Sequence, residues 1–259
     1  SSQNVGNRLA SLRGDQTSVA AGNQMASDNV WFEGNANFID QDARKGAAGF
    51  EVDSYGGTIG YDTAVSADSR MGVAFTYSQS DVEGDGAGLI DQDVDSYLVN
   101  LYGEKSIGKN FVNGGAHFGV QDVEISETVG ANRFEGDYAN EQYGANVEAG
   151  YNYNMGKGTI TPTAGLSWAH VGGDDVDMVN ASTTFNRDFD GKDQVEGTVG
   201  VRYAHDYETA RGGMLSPEVY TNFGYDFASD EVATTTSFGS TVINDEQAEV
   251  AEESVGFGA

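Results

Sequence analysis

The residues able to do chemistry are few in kind and scattered along the chain. Among 259 residues there are three histidines, no cysteine and 41 acids. His117, His170 and His205 stand far apart, and none has the i, i+4 partner that a zinc-binding helix requires. Without cysteine there are no disulfides and no thiolate metal sites. The nucleophile elbow Gly-x-Ser-x-Gly, the Walker loop and the dinucleotide fingerprint are all missing. Carboxylate pairs are numerous, but 41 acids produce such pairs by coincidence, so no catalytic residue, metal ligand or cofactor is assigned. The segment Asp81-Val-Glu-Gly-Asp-Gly86 has calcium-like spacing yet lacks the closing Glu of the twelve-residue loop, and it reads as a solvated acidic loop. A net charge of -28 removes nucleic acid from the partners, because neutralising phosphates takes Lys and Arg, of which only 13 are present.

With no site to organise around, the elements themselves carry the reading. Mean hydropathy is -0.44, and no run approaches the ~18 apolar residues of a membrane-spanning helix. A β-barrel escapes that test, because only every second residue meets lipid. From Val30 onward the pattern has period two. Val30, Phe32, Gly34, Ala36 and Phe38 alternate with Trp31, Glu33, Asn35 and Asn37; Tyr143, Ala145, Val147, Ala149 and Tyr151 alternate with Gly144, Asn146, Glu148 and Gly150. Similar runs occupy 55–62, 71–78, 97–102, 112–121, 160–168, 195–203 and 215–227, with weaker ones at 232–242 and 250–259.

Eleven strands are counted. A closed bacterial barrel has an even number, so the expectation is an antiparallel transmembrane β-barrel of about twelve strands, with the chain stopping at Phe257-Gly258-Ala259 inside the eleventh or the count one off.

Across the nine clear runs the apolar face carries no Asp, Glu, Lys or Arg, while the other face is mostly Gly, Asn, Thr and Ser with some acids. A soluble sandwich would show the reverse, apolar inside and charged outside. The expected orientation is therefore apolar row to lipid and polar row to a lumen. Tyr77, Tyr143, Trp168, Tyr203 and Phe227 stand near strand ends, where interfacial aromatic girdles form. The lumen-lining residues expected from this parity are Glu33, Asn35, His117, Asn146, Glu148, Glu196, Arg202 and Glu218. Connections are expected to alternate, long at 40–53, 79–94, 122–142 and 169–194, short at 62–70, 104–111, 154–159 and 204–214. The long, acid-rich ones then face the cell exterior.

Residues 1–27 form a separate segment without period two, preceding a barrel over 28–259. Val5, Leu9 and Leu12 recur at helical spacing with Arg8 and Arg13 among small and polar neighbours. A helix this short needs a partner surface, and a lumen containing Glu33, Glu148, Glu196 and Glu218 would offer one for Arg8 and Arg13.

The order of a short helix (Val5–Leu12), an aromatic first strand (Asn29-Val-Trp-Phe-Glu-Gly-Asn35), Gly56-Gly-Thr-Ile-Gly-Tyr-Asp62, Gly72-Val-Ala-Phe-Thr-Tyr-Ser78, Asp95-Ser-Tyr-Leu-Val-Asn-Leu-Tyr-Gly103, Ile160-Thr-Pro-Thr-Ala-Gly-Leu166 and Leu215-Ser-Pro-Glu-Val-Tyr220 resembles the β-domain of autotransporters, the type V secretion translocators. The resemblance implies a Gram-negative outer-membrane barrel, usually a single chain, inserted by the outer-membrane assembly machinery. It also implies an upstream passenger whose linking helix threads the pore; here Val5 to Ala21 would take that role. Some barrels of this kind cut their passenger inside the pore with lumen acids and an Asn, for which Asn4 or Asn7 with Glu148 or Glu218 are the matching residues. The reading of another class is a passenger-free barrel, a small channel or an acidic-loop adhesin. A soluble secreted β-protein is the third.

Overall fold

The computed structural model describes residues 5, 8–9, 30–41, 49–84, 90–205, 207–208, 214–215, 217–228, 233–238, 241–246 and 253–258. Val5, Arg8 and Leu9 are helical, and the other described elements are strands. Leu12, Arg13, Asn4 and Asn7 lie outside the described residues.

The strands begin with β1 (Val30–Gln41), β2 (Phe50–Ser66), β3 (Ser69–Gly84), β4 (Ile90–Ile107), β5 (Asn110–Val129) and β6 (Asn132–Tyr151). They continue as β7 (Tyr153–Met155), β8 (Gly158–Val171), β9 (Asp175–Val179), β10 (Thr184–Phe189) and β11 (Lys192–His205). The last are β12 (Tyr207–Glu208), β13 (Met214–Leu215), β14 (Glu218–Asp226), β15 (Ala233–Phe238), β16 (Thr241–Glu246) and β17 (Glu253–Gly258). One curled antiparallel ladder runs β1-β2-β3-β4-β5-β6-β8-β11-β14-β17. Successive strands are neighbours because short turns permit nothing else: Ala67-Asp68, Gly108-Lys109 and Gly156-Lys157 close three hairpins on one side. Gly108 and Gly156 sit at φ of 65° and 67°, where an L side chain is strained.

Exposure follows parity as expected from the sequence. On the outward row Phe32 is 60% exposed, Ile59 54%, Leu101 61%, Phe118 54% and Val199 57%. The girdle residues Tyr77, Tyr143, Trp168, Tyr203 and Phe227 share that row and are exposed too. Side chains left bare of protein in such numbers have hydrocarbon as their solvent. Tyr143 to Tyr151 covers nine residues, about 27 Å of strand, within the span that a tilted strand needs to cross a bilayer.

Three expectations are corrected. The segments at 79–94 and 122–142 are not loops: β3 runs to Gly84, β4 starts at Ile90, and β5 and β6 form one long hairpin closed by Gly130-Ala131. Alternation persists there through Val82, Val94, Val123 and Ile125, and the acids occupy the outward parity apart from the buried Glu127. The segment 169–194 contains the β9–β10 hairpin. The run at 232–242 is no wall strand, since β15 and β16 form a hairpin joined to β10, off the main ladder. Among the described residues ten strands thus make the wall, and a side sheet β9-β10-β15-β16 branches from it where Glu135 of β6 meets Val179 of β9.

The outer ends of the strands hold a dry core. Ile125, Phe134, Val176, Met178 and Phe185 form a buried cluster, with Ile90, Tyr138 and Phe189 against it. Phe134 meets Phe185 edge-on at 4.9 Å, and Tyr138 stacks on Phe189 at 5.4 Å. Burial there pushes the Tyr138 hydroxyl pKa up. Arg187 of β10 reaches Glu127 of β5 at 2.8 Å with both side chains nearly buried, which ties the side sheet to the wall.

Candidate functional site

The site grows from two adjacent wall strands with small residues in their inward row. Gly60 of β2, Gly72 of β3 and Ala74 beside it leave a trough between β1 and β4. Trp31 of β1 lies across Gly60 and Tyr102 of β4 lies across Gly72, so closely that a Cβ at either glycine would overlap the ring. The two rings meet edge-on at 6.2 Å. Trp31 Nε1 donates to Tyr102 Oη at 2.7 Å, which satisfies an indole that is 2% exposed.

Asp62, at the inner end of the β2 row, is fully buried. Its Oδ1 accepts from an Arg70 guanidinium nitrogen at 2.6 Å, and its Oδ2 accepts from Arg8 Nε at 2.8 Å. Tyr102 Oη donates to the same Oδ2 at 3.4 Å. A carboxylate buried with two guanidinium partners is a strong fixed point, because removing one partner of a buried pair costs roughly 3–5 kcal/mol. Val5 and Leu9 come from one helical face and pack into a buried cluster with Trp31, Ala74 and Tyr102. Val5 also borders Asn100, Gly115, His117 and Asn146.

Of the residues expected inside, Glu33, Asn35, His117, Asn146, Glu148, Glu196, Arg202 and Glu218 all lie on the less exposed row of their strands. The structure brings His117 and Asn146 to Val5, joins Glu148 to Asn113 at 3.0 Å, and pairs Arg202 with Glu218 at 2.7 Å. The His117 ring fills the space that a side chain at Gly144 would need. For Arg8 the carboxylate is Asp62, which sequence reading placed on the polar face of its strand without assigning it a role. The same row carries large side chains that reading had not expected to bury: Trp31, Leu98, Tyr102 and Phe111 are each 6% exposed or less. The signal was present, since Trp31, Leu98 and Tyr102 stand on the polar parity of their runs and Phe111 directly precedes its run on that same parity.

Outside the trough, carboxylates line up on the outward row above the apolar band. Asp53 faces Asp81, Asp81 faces Asp93, Asp93 faces Glu124 and Glu124 faces Asp137 across five successive strands. No group of acids and histidines among the described residues has the geometry to hold a metal ion.

Within the apolar band the outward row is bare of charge and the inward row is polar, with a helical segment pinned against it. Residues 30–259 match the family model for the Autotransporter beta-domain. The chain belongs to this family. Its place is the outer membrane of a Gram-negative bacterium. Among curated relatives of this autotransporter β-domain, outer membrane protein B of Rickettsia prowazekii (strain Madrid E) is 27% identical over 248 residues, covering 84% of this chain and 15% of its own length. Outer membrane protein A of Rickettsia conorii (strain ATCC VR-613 / Malish 7) is 28% identical over 253 residues, covering 86% of this chain and 12% of its own length. The chain therefore spans only about a seventh of the curated relatives it matches. Among solved structures, the translocator domain of autotransporter NalP from Neisseria meningitidis aligns with a TM-score of 0.69 at 12% identity, covering 98% of this chain and 92% of that one. The β-domain of the Bordetella autotransporter BrkA gives 0.61 at 16% identity, covering 88% and 95%.

Proposed function

We propose that this β-domain anchors in the outer membrane and mediates secretion or surface display of a passenger encoded upstream of Ser1, with no chemical step of its own. The observation that carries the reading is the inversion of the wall. Apolar residues face lipid, while Asn100, Asn113, His117, Asn146 and Glu148 face inward around a helical segment. A polar lumen lets an extended chain pass without stranding backbone donors and acceptors in hydrocarbon. Val5, Arg8 and Leu9 then act as part of a pore helix that fills the lumen once passage is complete, to which sequence spacing alone assigns Leu12 and Arg13, outside the described residues. The lumen-lining role of Glu33, Asn35, His117, Asn146, Glu148, Glu196, Arg202 and Glu218 belongs to the same reading. So does a monomer inserted by the outer-membrane assembly machinery.

The test joins a reporter passenger to the full chain and measures its digestion by external protease on whole cells. Display is expected with the native barrel and is expected to fall when Val147→Arg disturbs the lipid-facing row. In planar bilayers, Arg8→Ala is expected to open a steady conductance that the native chain lacks. An undigested reporter with a properly inserted native barrel would refute the secretion role, and a closed Arg8→Ala pore would refute the plug.

A further inference from the structure

We propose that Trp168, His170 and Asp193 form a docking site for the sugar ring of a glycolipid headgroup, on the outward face of the wall where the apolar band ends. The inference needs only the placement of the wall in lipid and is independent of the plug and secretion readings.

The site is assembled from two neighbouring rows on three adjacent strands. In the lower row Ala145 of β6 and Val195 of β11 flank Trp168 of β8. Both neighbours are smaller than the indole, so the ring stands proud of the wall and is 40% exposed. In the upper row Tyr143 of β6, His170 of β8 and Asp193 of β11 stand abreast. Tyr143 stacks on His170 at 4.9 Å and meets Trp168 edge-on at 5.6 Å, which braces both rings from the β6 side. Asp193 braces them from the β11 side. Trp168 Nε1 donates to its Oδ1 at 3.0 Å, and His170 Nδ1 is bonded to the same oxygen at 3.1 Å. Both contacts use one oxygen of a side chain that is 58% exposed, which leaves Oδ2 to accept from a ligand.

These rows lie at the boundary between two solvents. Below them Val147, Leu166 and Val199 continue the lipid-facing band, and above Tyr143 the same row of β6 carries the exposed Glu141 and Asp137. The cluster is therefore continuous with the surface that holds lipid, and a lipid packed on the band brings its headgroup to this level. The chemistry of the cluster selects among headgroups. A phosphate meets Asp193 and Glu141 and is repelled. An ammonium is held best inside a cage of several ring faces, whereas here His170 already covers a face of Tyr143. A pyranose fits on both counts. Its weakly positive C–H bonds lie flat on the negative face of the indole, and its hydroxyls donate to the carboxylate. Trp168 and Asp193 make the contacts, and His170 is a positioning residue that orients Asp193.

The experiment uses the full chain in phosphatidylcholine vesicles containing monogalactosyl diacylglycerol, with brominated acyl chains on one lipid or the other to quench tryptophan on contact. The chain has two tryptophans, and Trp31 is 2% exposed on the inner side of the wall, so quenching reads Trp168. Emission from Trp168→Phe supplies the Trp31 contribution, which is subtracted. The galactolipid is expected to occupy the site about fivefold more favourably than phosphatidylcholine, the effect of roughly one added hydrogen bond. Asp193→Ala is expected to abolish the preference. Asp95→Ala removes an acid bonded to Tyr77 on the same outward row and is expected to leave the preference intact. Equal occupancy by the two lipids overturns the site. So does a preference that survives Asp193→Ala, or one that falls equally in Asp95→Ala and so reports surface charge alone. Diacylglycerol without the sugar, or phosphatidylethanolamine, matching the galactolipid overturns sugar recognition in favour of headgroup size or an ammonium.

Discussion

The β5–β6 hairpin passes through two solvents, and its halves are built on opposite rules. In the membrane half, Val112, Ala116, Phe118 and Val120 of β5 point outward, as do Tyr143, Ala145 and Val147 of β6, while Asn113, His117, Asn146 and Glu148 point inward. In the outer half of the same strands, Asp122, Glu124, Glu135 and Asp137 point outward, and Val123, Ile125, Phe134 and Tyr138 point inward. Backbone parity never changes. What changes is which parity is apolar, and the switch comes between Val120 and Asp122 on one strand and between Glu141 and Tyr143 on the other. The lower half is a membrane wall around a polar lumen; the upper half is an ordinary water-soluble sheet with a dry inner face. A hydrophobic row is therefore informative about solvent only when its direction is known.

Substitutions that treat the halves alike should break them differently. The largest effect is expected from Phe134→Ala, which empties part of the outer core and costs roughly 3–5 kcal/mol. Exchange measurements should place the loss in β9, β10 and the tip of the β5–β6 hairpin, leaving the membrane half intact. Next is a pair of arginine substitutions. Val147→Arg puts a charge on the lipid-facing row and is expected to cost about 2–4 kcal/mol in urea unfolding from lipid vesicles. Glu124→Arg puts the same charge on the outward row of the outer half, where it meets Asp93 and Asp137 and should be neutral or stabilising. Equal losses from both would erase the distinction. A smaller gain, about 0.2–1 kcal/mol, is expected from Asp93→Asn, which relieves direct cross-strand repulsion from Asp81 and Glu124; the gain should shrink as salt is added. Tyr138→Phe should change stability least, since stacking on Phe189 survives the loss of the hydroxyl.

The wall was legible because parity is a local property. Reading Phe32 against Trp31 or Val147 against Asn146 required no knowledge of neighbours, and exposure in the structure follows it. The outer half is hidden in the sequence because its acid density resembles that of a loop, although Val123 and Ile125 continue the alternation in register with Asp122 and Glu124. The run at 232–242 shows a different limit. Its alternation is that of a strand, but whether a strand joins the wall or pairs with β10 is decided by tertiary contacts. Arg8 and Asp62 stand 54 residues apart, and no spacing rule links them. Helical periodicity gave the cation, strand parity gave the side, and only the assembled trough chose the carboxylate.

Arg70 gives this arrangement a property beyond affinity. It belongs to β3, so its contact with Asp62 does not leave when the helix leaves. A lumen whose only counter-ion for Asp62 arrived with the helix would hold a naked buried anion whenever it stood empty, and vacancy would threaten the barrel itself. With a resident guanidinium the vacant seat is already neutralised. Under the proposed plug, the vacant seat would keep one counter-ion and an arriving arginine would add a second.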